Sequence, residues 1–202
     1  VLVVSPAGCG LKGIPRNTTY LLNGTPRIAY TIEAASQSKL LTDFIVSTDS
    51  DKIQEVSEQF GAKVPFRRPE ELSHDSALAI PTIQHAVKTY EEMQGITYDY
   101  IIMLQPTAPL RTAHDIDESL RKLMNSDADS IISIVDVDNY HPIKMKKIED
   151  EMLIDFLKSD LENPPRQDLP PVYIVNGAIY ATKRDVSMNQ NTFKGSKRLT
   201  YI

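Results

Sequence analysis

The sequence predicts a three-layer α/β fold, a mainly parallel sheet with helices on both faces, and three observations carry that prediction. Short β-branched runs alternate with stretches of helical period. The early runs each end in a polar or Pro/Gly-containing turn, at 5–13, 48–51 and 105–111. The composition, 41% hydrophobic and 24% charged over 202 residues, is that of an ordinary globular domain able to cover such a sheet.

Taken in order, strands are expected at 2–5, 44–47, 100–104, 130–135 and 172–181, each a short run rich in Val, Ile or aromatic residues. Helices are expected at 27–38, 52–60, 81–94 and 113–125. Pro81 suits a first helical position, where its missing N–H costs little. Thr112 followed by Asp115 has the spacing of a capping box. The segment 139–171 breaks the rhythm with Lys144, Lys146, Lys147 and the run Asn163-Pro164-Pro165-Arg166. It is too long for a simple connection and reads as an excursion, a β-arm or subunit contact, within one domain spanning 1–202.

Several function classes are excluded at this level. The longest apolar runs fall far short of the roughly 20 residues of a membrane helix. The single cysteine, Cys9, makes no internal disulfide and fits a reducing, cytoplasmic setting. A net charge of −5 argues against a general nucleic-acid binder, so any phosphate site must be local.

Residues 1–32 hold Lys12, Arg16 and Arg27 and no Asp or Glu, a stretch of +3 where an open sheet places its ligand. Gly8, Gly10 and Gly13 allow close backbone approach, so N–H groups can converge on an anion while Lys12 and Arg16 neutralise it. The loop is neither a Walker A sequence nor a dinucleotide fingerprint, because Pro15 and Arg16 stand where a helix would begin. On spacing alone it reads equally as a triphosphate cradle or as a solvated turn. Asp49 and Asp51 read as helix-cap or solvent-facing acids, and Asp136 with Asp138 as a lone Asp-x-Asp at a strand end. Cys9 reads as packed, since no histidine lies near it, and His85 as a partly buried helix residue. His74, His114 and His141 show no metal spacing.

The motifs together carry a resemblance. The run 5–16, Ser-Pro-Ala-Gly-Cys-Gly-Leu-Lys-Gly-Ile-Pro-Arg, resembles the opening loop of the acylneuraminate cytidylyltransferase family. So do Asn23-Gly24-Thr25-Pro26, Val46-Ser47-Thr48-Asp49, Arg68-Pro69-Glu70-Glu71-Leu72 and Gln105-Pro106-Thr107-Ala108-Pro109-Leu110-Arg111. His141-Pro142-Ile143-Lys144, Arg166-Gln167-Asp168-Leu169-Pro170-Pro171 and Asn176-Gly177-Ala178 extend the match over nearly the whole chain. The resemblance implies a Rossmann-like nucleotide-diphospho-sugar transferase fold with a dimerisation excursion at 139–171. It implies transfer of CMP from CTP to a sialic-acid-like 2-keto sugar acid, release of pyrophosphate, dependence on Mg2+, and a homodimer. By motif matching it assigns Lys12 and Arg16 to the catalytic cations. Ala7, Gly8, Gly10, Lys12, Arg16, Asn17, Arg68, Ala77 and Ala79 fall to the nucleotide. Gln105, Arg111, Lys144, Arg166, Tyr173 and Asn176 fall to the sugar.

The chain departs from that pattern at the chemistry. Gly8 stands where the family has arginine, Leu11 where it has serine, Asn17-Thr18 where it has Lys-Asn, and Pro81 where it has an acid. These departures leave room for a weakened or inactive member that binds a nucleotide or sugar phosphate, or for another base or sugar. The metal-binding acids implied by the family are expected beyond Ile202, and with Val1 already inside an apolar run the amino terminus is expected to be trimmed by a residue or a few.

Overall fold

The computed structural model describes residues 1–8, 17–74, 77–159 and 164–202. In chain order they form β1 (Leu2–Pro6), β2 (Leu21–Leu22), β3 (Thr25–Pro26), α1 (Arg27–Gln37), β4 (Asp43–Ser47), α2 (Asp51–Gln59), α3 (Ala79–Gln94) and β5 (Tyr100–Met103). There follow α4 (Ala113–Met124), β6 (Ser130–Asp136), β7 (Lys146–Glu149), β8 (Met152–Asp155), β9 (Tyr173–Lys183), α5 (Arg184–Met188) and β10 (Arg198–Tyr201). Six strands make one sheet in the order β10-β6-β9-β5-β1-β4. β1 pairs in parallel with β4 on one edge and β5 on the other, and β6 pairs in parallel with β10. β9 is the exception, antiparallel to β5 with Met103 opposite Tyr180.

Alternation along β1 sorts its side chains between two cores. Val3 packs with Ile102, Leu104, Ile131 and the α4 residues Ile116, Leu120 and Leu123. Leu2 and Val4 point the other way, among Ile45, Ile101 and the α3 residues Ile83, Val87 and Tyr90. A third cluster joins α1 to α2 through Ile28, Ile32, Val46 and Ile53. The predicted three-layer α/β architecture, with a mainly parallel sheet, is therefore the observed one.

Local signals explain the element boundaries. The Thr112 hydroxyl accepts from the Asp115 N–H while the Asp115 carboxylate accepts from the Thr112 N–H, so the capping box of α4 is formed. Pro81 needs a correction: α3 starts at Ala79, so Pro81 is the third helical residue rather than the first. The N–H groups of the whole first turn lack intrahelical acceptors, so proline is tolerated there too. The cap of α2 is Ser50, whose side chain accepts from the Ile53 N–H, and Asp51 is in the first turn beside an exposed Arg67. Asp49 therefore does not cap α2.

By contacts the chain divides into a unit of 1–133 with 177–201 and a second unit of 134–176 with Ile202. Within the second unit β7 and β8 form an antiparallel hairpin whose turn residues, Asp150 and Glu151, both have positive φ. That is the left-handed geometry a two-residue hairpin turn demands. The hairpin exposes Ile148, Met152, Leu153 and Phe156, at 76%, 66%, 71% and 60%.

At the amino end of β4, Asp43 gathers three donors: Lys63 Nζ at 2.8 Å, Tyr90 Oη at 3.1 Å and Tyr98 Oη at 2.6 Å. The two tyrosine rings stack with centroids 6.4 Å apart. Burial pushes the Asp43 carboxyl up, but the hydrogen bonds from Lys63, Tyr98 and Tyr90 outweigh it and hold the group below its ordinary value. A depressed carboxylate contributes stability above its unfolded value of about 3.9, and that contribution is lost as pH falls through the lower folded value. Asp43→Asn is expected to cost about 2 kcal/mol near neutral pH, because two hydroxyls lose a charged acceptor. In urea unfolding the gap between wild type and variant should close at about pH 3 and below.

Candidate functional site

The carboxyl ends of β1, β4 and β5 open into a cavity of about 430 Å³. Pro6 and Gly8 continue β1 into its wall, and Gln105, Pro106 and Thr107 continue β5. Arg68 reaches the wall because the backbone after α2 runs back beside β4: Val46 N–H donates to Lys63 O, Arg68 N–H donates to Thr48 O, and Thr48 pairs in parallel with Arg67. Segment 72–74, together with Ala77 and the start of α3 at Ala79 and Thr82, closes another side. Asn17 and Thr18 complete it. The Thr18 hydroxyl donates to Gly8 O at 3.0 Å, tying the two ends of the glycine loop together.

Arg68 is held on all three guanidinium nitrogens. Nε donates to Ser73 Oγ at 3.0 Å, Nη1 to Ser47 O at 3.3 Å, and Nη2 to Asp49 Oδ1 at 3.2 Å. The side chain is 6% exposed, so its charge sits at the cavity wall largely screened from solvent. Gly8 leaves the space this requires, since a Cβ there would lie 3.1 Å from Arg68 Nη2. Gln105 is seated the same way: Gly177, at φ +76, would as alanine place a Cβ 2.9 Å from Gln105 Oε1. The left-handed backbone is costly for any other residue at that point, and the Gln105 amide would have to shift to admit a methyl group.

Of the residues the sequence assigns to a nucleotide, the structure brings Gly8, Asn17, Arg68, Ala77 and Ala79 together around this one cavity, with Gln105 from the sugar set. Ala7 needs a correction. It is buried in the cluster of Ile28 and Val46, and its N–H is already donated to Ser47 O. Arg111 needs one too. Its guanidinium points inward, with Nη2 donating to Thr31 Oγ1 at 2.7 Å and Nη1 to Ala178 O at 2.7 Å and to Gln105 O at 3.3 Å. Burial pulls its pKa down to about 10, which still leaves it charged at neutral pH. It braces the loop after β5 rather than facing a ligand. Cys9, Gly10, Lys12 and Arg16 lie outside the described residues.

The remaining sugar-set residues belong to the second unit. Lys144 lines a separate cavity of about 290 Å³ with Asp136, Asp138, His141 and Gln167. The His141 ring is fixed there, Nδ1 accepting from the Ile143 N–H and Nε2 donating to Pro170 O. Asp136 Oδ1 accepts from the Asp138 N–H at 2.6 Å, and Asp138 has φ 50. Arg166 opens a 3-10 turn, and Tyr173 and Asn176 lie on β9. Among the described residues no group of three or more His, Cys, Asp or Glu side chains gathers as a metal site, and no helix is long and apolar enough to cross a membrane.

Sequence reasoning missed the Asp49–Arg68 pair and the place of His74, Thr18 and Thr107 on the cavity wall. The signal for Thr18 and Thr107 was their position inside motifs already singled out. Nothing local in sequence pairs Asp49 with a residue 19 positions on. His85, read as partly buried, is so: its ring meets Phe66 edge-on at 5.4 Å, and burial lowers its pKa.

An open sheet whose parallel strands bring Gly8, an anchored arginine and a Gln-Pro-Thr turn to one cavity has the carboxyl-edge site of a nucleotide-binding α/β protein. The profile of the cytidylyltransferase family matches residues 4–188, and the chain belongs to that family. It is 32% identical over 203 residues to an N-acylneuraminate cytidylyltransferase of Streptococcus agalactiae, covering 99% of this chain and 47% of that protein. It is 33% identical over 196 residues to a CMP-N,N'-diacetyllegionaminic acid synthase of Legionella pneumophila, covering 96% of this chain and 82% of that one. The chain thus spans about half the length of the first relative and most of the second. A solved CMP:2-keto-3-deoxy-manno-octonic acid synthetase complexed with CTP shares the fold, with a TM-score of 0.67 at 18% identity, over 95% of this chain and 76% of that one.

The two arginines should separate experimentally. Arg111→Ala strands two carbonyls and a threonine hydroxyl in the interior and is expected to cost about 3 kcal/mol of stability in denaturant unfolding. Gly177→Ala, which forces Gln105 off its seat, should cost about 1–2 kcal/mol, read in the same unfolding experiment.

Proposed function

We propose that the chain transfers CMP from CTP to a sialic-acid-like 2-keto sugar acid and releases pyrophosphate. One observation carries the reading: Gly8, Asn17, Arg68, Ala77 and Gln105, drawn from four separate segments, meet at the carboxyl edge of the sheet. A sugar hydroxyl attacks the α-phosphorus of CTP, the new P–O bond forms, and the bond to pyrophosphate breaks. Negative charge moves to the leaving group, so catalysis by this chain is chiefly positioning and charge neutralisation. Arg68 supplies one fixed cation at the nucleotide, and Lys12 and Arg16 supply the others on the triphosphate.

Gln105 lies on the sugar side of the same cavity in this proposal. Lys144, Arg166, Tyr173 and Asn176 act on the sugar acid, an arginine fork being suited to a carboxylate. Magnesium accompanies the triphosphate. Among the described residues no group of three or more His, Cys, Asp or Glu side chains gathers to hold it. A homodimer belongs to the same reading, supported by the apolar side chains exposed on the β7–β8 hairpin. A cytoplasmic setting rests on the single cysteine.

The test is pyrophosphate release by the full-length protein with magnesium, each of the four NTPs and a panel of nonulosonic acids. Release with CTP and at least one acid is expected. CTP binding without release from any pair would make the chain a nucleotide-binding module, a reading favoured by Gly8 and Pro81 where the family has charged residues. Lys12→Ala should lower kcat/KM at least about a hundredfold through lost phosphate neutralisation. Leu153→Asp on the hairpin should shift a dimer to monomer in light scattering.

A further inference from the structure

Arg27 belongs to none of the roles above, yet its side chain joins two walls of the nucleotide cavity. It is the first residue of α1, where its own N–H donates to Tyr20 O at 2.9 Å and the next, from Ile28, to Thr18 O at 3.0 Å. From there the guanidinium reaches outward. Nη1 donates to Asn17 Oδ1, and Nη2 donates to Thr107 O at 2.7 Å. Asn17 and Thr107 both line the cavity, one from the segment after the glycine loop and the other from the turn after β5.

Two physical arguments give this contact a function. A guanidinium has only donors, so the Asn17 atom facing it must be the oxygen, and the amide nitrogen is turned away from it. Asn17 makes no other hydrogen bond among the described residues, and its Nδ2 is not among the sealed, unpartnered atoms. That nitrogen is therefore a donor available to the cavity. The second argument is electrostatic. A cation in the first helical turn opposes the helix dipole and α1 has no acid in that turn, so the charge at this position does not stabilise the helix itself.

We infer that Arg27 is a positioning residue for the nucleotide: it clamps the segment at 17 to the turn at 107 and aims the Asn17 amide as a donor to a triphosphate oxygen. The inference rests on the proposed nucleotide site, and the variants below are chosen to fail separately from it.

The experiment uses the full-length protein with CTP and magnesium as probe, reading CTP affinity by calorimetry, amide exchange by mass spectrometry, and the melting temperature. Arg27→Ala should weaken CTP binding about tenfold. It should speed exchange at 17–20 and 105–109, and leave the melting temperature within about 2 °C of wild type. Arg27→Lys, which reaches one partner at a time, should fall between. Asn17→Asp keeps the partner of Arg27 and so keeps slow exchange, but it replaces the donor with a carboxylate oxygen and should lose CTP affinity at least as strongly. The inference is overturned if Arg27→Ala binds CTP within about twofold of wild type or exchanges no faster. A melting temperature lowered by more than about 5 °C, or an Asn17→Asp protein that binds CTP normally, overturns it equally. Wild type that binds CTP but releases no pyrophosphate defeats the transferase reading alone, and wild type that binds no CTP defeats both.

Discussion

The first unit is hung on β1, among the described residues the one strand hydrogen-bonded in parallel on both edges and buried on both faces. Its side chains from Leu2 to Ser5 are all buried, so the chain first opens toward solvent past Pro6. There Gly8 meets the turn after β5, because β4 and β5 are held in register with β1, Ser47 opposite Pro6 and Met103 opposite Val4. Parallel pairing thus fixes where the cavity lies before any functional residue is chosen. The antiparallel β9 has a different duty: its return past β5 brings Gly177 beneath Gln105 and Ala178 beneath Arg111.

Three arginines around this edge show how environment assigns roles to one side-chain type. Arg111 is buried with its Nη atoms committed to Thr31, Ala178 and Gln105, and serves as a brace. Arg68 is equally shielded but is turned to the cavity wall, oriented by Ser73, Ser47 and Asp49. Arg27 is more open and links two loops through the oxygens of Asn17 and Thr107. The departures from the family pattern look different in this light. Gly8 leaves the volume beside Arg68, and Asn17 is a neutral residue hydrogen-bonded to a cation that reaches it from position 27.

Five of the six strands of the main sheet, the four long helices and the capping box at Thr112 were legible in the sequence, because each is a local pattern of period, branching or cap chemistry, whereas β10 and the two-residue strands β2 and β3 were not. The start of α3 was not, because proline fits anywhere in a first helical turn and so marks the turn rather than its first residue. The convergence of Gly8, Arg68 and Gln105 was legible only through motif resemblance, since no periodicity relates positions so far apart. The inward turn of Arg111 was hidden for a physical reason: a buried arginine and a ligand-facing one look alike in sequence until the acceptors, here Thr31 Oγ1 and Ala178 O, are placed around it. Asp49 misled in the same way, as a residue beside a helix start that proves to hold a distant arginine.

The central claim is that the cavity at the ends of β1, β4 and β5 is where the nucleotide binds. A crystal structure of the full-length protein with CTP tests it most directly. The account predicts a triphosphate within hydrogen-bonding distance of the Gly8 loop and Asn17, with the nucleoside against Arg68, Ala77 and Ala79. A nucleotide bound only in the cavity of the second unit, or on a surface away from the carboxyl edge of the sheet, would contradict it.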